Sequence, residues 1–276
     1  MSEVIVPKKK DGPTGGVKRD YQGKEKGNHH SVDHQHPHNA YTPMFESFRD
    51  ELDIHHDRRM KIGKVSRDVT ALSKKVIFSL QRVRKLSQPI PERIQAEIDG
   101  RLKEIGELLQ SIQQDVQGMN RYRYPLICLE EFVEAITFAH YLRHQSLMTP
   151  AEVQSALPAD IQVTPADYVF GIFDLTGEMM RFATAVTALT GSVPTEAEDR
   201  TILTDLQDVS SMLQTYPPVG GKLGVYARKT SIMVEQVHKV ERLAYGVSVR
   251  GNERPKGWMP DLNEPGGGHD DDVMMD

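Results

Sequence analysis

A chain of 276 residues and 31.1 kDa has room for one large helical domain with tails, or two small domains, and for a substantial core in either case. A net charge of -5 excludes nucleic-acid binding by overall charge, so any such contact needs a local basic face. The lone cysteine, Cys128, excludes an intrachain disulfide and a cysteine-based zinc site, and no run approaches the roughly 18 apolar residues of a membrane span.

Residues 1–40 are rich in Lys, Gly, His and Pro and have almost no aliphatic periodicity, so the sequence predicts a disordered tail. Its basic clusters, Lys8 to Lys10 and Lys18-Arg19, suit a bipartite nuclear-import signal or a solvated charged tail. With the single cysteine and no apolar signal core in the first 30 residues, they predict a cytoplasmic and nuclear location. The run "HHSVDHQHPH" lacks the spacing of a selective metal site.

From Phe45 to about Leu86, apolar residues recur at alternating three and four, through Phe48, Leu52, Ile62, Val65, Val69, Leu72, Val76 and Leu80. This spacing predicts one very long helix, on the order of 60 Å. Its other faces carry cations such as Arg58, Arg59, Lys61, Arg67 and Lys74, which suit either a solvated surface or a phosphate backbone. "SQPIPE" breaks it, and Ile98, Leu102, Ile105, Leu109, Ile112, Val116 and Met119 predict a second helix returning antiparallel. A third runs to about Gln145, with Pro125 in its first turn or kinking its entrance.

"TPAE" at Thr149, "TPAD" at Thr164 and "TEAE" at Thr195 each place a threonine cap three residues before an acid and predict three helix starts. Gly191 and "YPPVGG" from Tyr216 are stops, and a final helix is expected over about Val225 to Val249. No segment has strand periodicity. The expected fold is an all-α bundle of about six or seven helices over residues 41–258, followed by an acidic, disordered tail at 259–276.

Within the third helix, "LEEFVEAITF" places Glu131 and Glu134 on one face between apolar neighbours. Glu130, beside them, is read as an exposed neighbour outside the site. In "VFGIFDLTGEMMRF", Asp174 and Glu178 are four apart with Phe170 and Phe182 as flanks. Singly, each pair suits a surface ion-pair partner. Gathered together, four carboxylates would repel, and a divalent cation would relieve the repulsion; all-oxygen ligands suit magnesium, with manganese as the alternative. That is the chemistry of metal-dependent phosphodiester hydrolysis. His140 and His144 lack the glutamate of a zincin, and "EQVH", Glu235 to His238, has no second copy for a di-iron site.

"LEEFVEAITFAHYL", "VTPADYVFGIFDLTGEMMRF" and "KVERLAYGVSVRGNERPK", in this order, resemble landmarks of the translin family, on the side of its Trax-like chains. The resemblance implies co-assembly with translin into a hollow, roughly octameric shell acting as a magnesium-dependent endoribonuclease on single-stranded or nicked RNA. Single-stranded DNA binding and the absence of a membrane partner go with it. In the family the Trax-like subunit supplies the acidic site, whose motif corresponds here to Glu131, Glu134, Asp174 and Glu178. Glu134 and Glu178 are then the expected direct metal ligands, with Glu131 and Asp174 completing the site. A non-catalytic nucleic-acid-binding or scaffold partner of translin is the alternative.

Overall fold

A computed structural model describes residues 39–197, 200–215 and 223–250. The segments read as tails and "YPPVGG" lie wholly or almost wholly outside the described residues, and "VRGNE" is described only as far as Arg250. No helix among the described residues is long and apolar enough to cross a membrane.

The chain divides into two compact units, residues 1–53 and 54–276. In the first, the Asn39 side chain accepts from the backbone N–H groups of Tyr41 and Thr42 at 2.9 and 3.1 Å. These bonds satisfy two donors that the start of α1 (Thr42–Leu80) would otherwise leave open. Phe45, Phe48 and Leu52 do form a stripe here, but all three are exposed.

In the second unit, α1 buries Ile62, Val65, Val69, Leu72, Val76 and Leu80, the periodic residues of the sequence. The helix stops at Leu80 and not near Leu86. There follow α2 (Glu92–Gln110), a 3-10 turn (Gln113–Val116) and a single-turn α3 (Asn120–Arg123). The second apolar stripe is thus broken after Gln110, although Ile112 and Val116 remain buried. Polar contacts along α2 and just beyond its end fix its direction. Asp115 meets Arg58 and Lys61 at 3.4 and 2.8 Å, while Arg101 and Glu97 meet Ser79 at 2.6 and 3.2 Å, so α2 returns antiparallel as expected.

α4 (Cys128–His144) begins three residues after Pro125, which lies in the extended entry and not in the helix. A proline has no N–H to give to a helix, and the chain places it before the first turn. The capping boxes at Thr149 and Thr164 open α5 (Pro150–Ser155) and α6 (Pro165–Thr190), each with proline in the first turn. α6 stops at Gly191, whose φ of 72° is left-handed, the conformation glycine adopts without strain.

The third cap expectation fails. Thr195 lies in β1 (Thr195–Ala197), paired antiparallel with β2 (Arg200–Thr201), and α7 (Ile202–Thr215) starts seven residues later. The deciding residue is Asp205 in the first turn of α7. Its buried carboxylate accepts from the Tyr141 hydroxyl at 2.7 Å, the Gln145 amide at 2.8 Å and the Arg200 guanidinium at 2.7 Å. These bonds tie the start of α7 to the end of α4, and β1 and β2 pair ahead of α7. α8 (Leu223–Arg250) completes eight α-helices among the described residues; six are long, α5 is the short helix expected after Thr149, and α3 is an addition to the expected count.

α4 is buried on almost every side, which explains its near-continuous apolar sequence. Phe132, Val133 and Ile136 join a core with α1 and α2, whereas Phe138, Tyr141 and Leu142 join one with α6, α7 and α8. It packs tightly against α6 at Gly171. A Cβ there would lie 2.6 Å from Val133 Cβ and 2.9 Å from the Glu130 carbonyl oxygen, so only glycine fits.

Candidate active site

The Gly171 contact sets the spacing of the acids. Glu134 follows Glu130 by one turn of α4, and Asp174 and Glu178 follow Gly171 by about one and two turns of α6. Farther along, Phe138 and Glu178 line one small cavity, so the two helices advance in the same sense. The carboxylates therefore face one another across the crossing.

Their environments differ. Glu178 is almost fully buried; it accepts from the Gln81 amide at 2.9 Å and pairs with Arg181. Asp174 is held by the ammonium of Lys229, at 2.6 and 2.7 Å from its two oxygens. Glu131 lies 3.7 Å from Lys74. Glu134 is half-buried and, among the described residues, has neither a hydrogen bond nor an ion pair at its carboxyl group. Burial first, then the charges of Asp174, Glu178 and Glu131, push its pKa up to about 8. At neutral pH Glu134 mostly carries a proton unless a cation replaces it.

The site thus brings all four sequence-read acids into electrostatic contact but does not draw them into one coordination sphere. Among the described residues no three His, Cys, Asp or Glu side chains are placed to hold a metal ion. The donor set nevertheless fits a hard cation of the magnesium kind, which takes one or two carboxylates and keeps its waters. Glu134, on losing its proton, would supply the oxygen charge that such an ion neutralises.

Lys229 escaped sequence reasoning. It sits on the apolar stripe of α8 formed by Tyr226, Met233, Val237 and Val240, and a lysine on such a stripe was the available signal. Its ammonium also lies 4.0 Å from Glu130 and 5.7 Å from the Phe170 ring centroid. Glu130 is therefore a half-buried neighbour of the acids, not the exposed residue its sequence position suggested. Gly177 has a related part: Gln236 of α8 packs over it and accepts from the Thr176 hydroxyl at 2.8 Å, seating α8 against α6.

The other candidates lie elsewhere. The rings of His140 and His144 lie 4.6 Å apart, tilted to each other, with His140 bonded to Ser146; burial and the His144 charge hold the His140 pKa below its usual value. Glu235 and His238 are exposed on α8. Cys128 is buried, and burial pushes its thiol up to about 11, so it is no nucleophile.

The model of the translin family matches residues 57–251, well over half of the chain. The chain belongs to the translin family. It is 30% identical to the translin-associated protein X of Rattus norvegicus over 247 residues, covering 79% of this chain and 82% of that protein. It is also 29% identical to the translin-associated protein X homolog of Schizosaccharomyces pombe over 211 residues, covering 75% and 87%. A solved structure described as apo-NeC3PO superposes with a TM-score of 0.49 at 17% identity, covering 74% of this chain and 97% of its own. Both pairs of acids, on α4 and α6, fall inside the residues that match the family.

Proposed function

We propose that this translin-family chain is the catalytic subunit of a magnesium-dependent endoribonuclease, assembled with a translin partner and hydrolysing phosphodiester bonds in single-stranded or nicked RNA. The observation that carries the reading is Glu134, a half-buried carboxyl group without a partner among the described residues, in a helix with no structural need for a charge there. Exposed Phe45, Phe48 and Leu52 support assembly, since an apolar stripe of this kind is stabilised by a partner surface.

Glu134 and Glu178 would hold the ion, with Glu131 and Asp174 reached through its waters. Bound there, magnesium supplies a water of lowered pKa and offsets charge developing on the phosphate. Lys229 holds both oxygens of Asp174 and so keeps the carboxylate oriented in a crowded acidic site. Arg181, exposed at the rim while its guanidinium holds Glu178, and Arg84 in the same small cavity present cations to an incoming phosphate. Buried Phe138 and Phe182 lower the dielectric around these charges and strengthen each interaction.

Glu134→Gln, co-expressed with the partner, tests the proposal. The assembled variant is expected to bind single-stranded RNA and fail to cleave it in magnesium; cleavage at the wild-type rate would remove Glu134 from the mechanism. A second reading, a non-catalytic binding subunit, is favoured by the cations already lying against Glu131, Asp174 and Glu178. EDTA separates the two, because a binding subunit keeps its RNA affinity and has no cleavage to lose.

A further inference from the structure

Residues 59–74 of α1 and the segment 123–127 enclose an open groove of about 790 Å³. Arg59, Arg67, Lys74 and Arg123 line it, and no carboxylate does. All four side chains are exposed. Among the described residues Arg59, Arg67 and Arg123 form no salt bridge, in contrast to neighbouring Arg58 and Lys61, which are engaged by Asp115. α1 therefore separates its cations into a set that anchors the 3-10 turn after α2 and a set that faces an open concavity.

The open set forms a row. Arg59, Arg67 and Lys74 succeed one another by about two helical turns, roughly 10 to 12 Å each, on one side of α1. The row ends at Lys74, whose ammonium lies 3.7 Å from Glu131. Arg123 stands across from it with its guanidinium 6.0 Å from the Tyr124 ring centroid, and exposed Ile127 adds apolar surface to the same wall. A polymer with regularly repeated negative charge and apolar faces matches this wall and row.

We propose that the groove binds the phosphodiester backbone of a single-stranded nucleic acid and leads it toward Glu131. The direction of threading rests on the proposed active site; the binding itself does not.

The test uses the full chain assembled with its partner and a fluorescent oligouridylate in EDTA, so that nothing is cleaved, with affinity measured over a salt series. Arg59→Gln with Arg67→Gln is expected to weaken binding about tenfold near 0.1 M salt. It should also flatten the slope of log K against log salt by about 1.4, roughly 0.7 per lost phosphate contact. Arg59→Lys with Arg67→Lys should keep the slope. Arg93→Gln with Lys103→Gln, exposed on α2 outside the groove, should change neither quantity. The proposal is overturned if the groove variant binds as wild type at an unchanged melting temperature, or if the α2 variant loses as much. It is also overturned if a polyglutamate of equal charge competes as well as the oligouridylate, which would assign the groove to an acidic protein segment. Arg123→Gln, on a different element, gives the same reading should the α1 variant fold poorly. Failure of the catalytic reading leaves these titrations intact, since Glu134→Gln is expected to bind without cleaving.

Discussion

Two carboxylates set in apolar surroundings, buried Asp205 and half-buried Glu134, answer the same physical problem in opposite ways. Asp205 is 4% exposed and receives three donors, from Tyr141, Gln145 and Arg200. Glu134 receives none among the described residues and has three other acids acting on it, which with burial push it up to about 8. A carboxylate surrounded by donors organises the fold; one left without them in a family-matched site is available for a ligand.

The largest expected effect breaks the comparison at Glu134. Glu134→Gln should reduce RNA cleavage by at least about 10³-fold, roughly 4 kcal/mol of transition-state stabilisation, with the melting temperature unchanged or higher. A parallel loss of melting temperature and activity would make Glu134 structural like Asp205. Asp205→Ala should do the reverse. It leaves the Tyr141 hydroxyl, the Gln145 amide and the Arg200 guanidinium without their shared acceptor and should cost about 3 kcal/mol in chemical denaturation.

The next effect tests whether the acids depend on the helix crossing. Gly171→Ala drives a Cβ to within 2.6 Å of Val133 and should separate α4 from α6 at a cost of about 2 kcal/mol. Cleavage should fall more than stability, because Glu134 and Glu178 move apart while both cores persist. Equal falls would mean that the crossing matters only for folding.

The sequence made the crossing legible in part. The apolar frames around Glu131, Glu134, Asp174 and Glu178 are visible in the chain because α4 and α6 are buried on several sides and have few solvent positions to fill. The boxes at Thr149 and Thr164 are visible because capping is local chemistry within four residues. Thr195 has the same local pattern, yet Asp205, contacting residues sixty positions earlier, decides where α7 begins. Lys229 was hidden for the same reason, since its partner Asp174 is on another helix. What the sequence withholds are contacts between elements distant in the chain.

The smallest expected effect is a pH dependence that belongs to Glu134. Its pKa is raised in the folded state, so between the usual carboxylate range and about 8 the unfolded chain has released a proton that the folded chain retains. Stability contributed by this group should therefore decline as pH rises through that window and level off above it. The Glu134→Gln variant has no such proton to release, and its advantage over the wild type should grow from pH 5 to reach about 2 kcal/mol by pH 8.5, after solvent at the exposed edge of the carboxyl has screened part of the shift. Magnesium should reverse the trend in the wild type alone. An ion that displaces the proton stabilises the folded chain more as pH rises, whereas a fold whose acids are satisfied by Lys229, Arg181 and Lys74 would show the same curve with and without it. Denaturation curves of the two proteins in EDTA and in magnesium, across this pH range, distinguish a carboxylate awaiting a cation from one merely tolerated by its core.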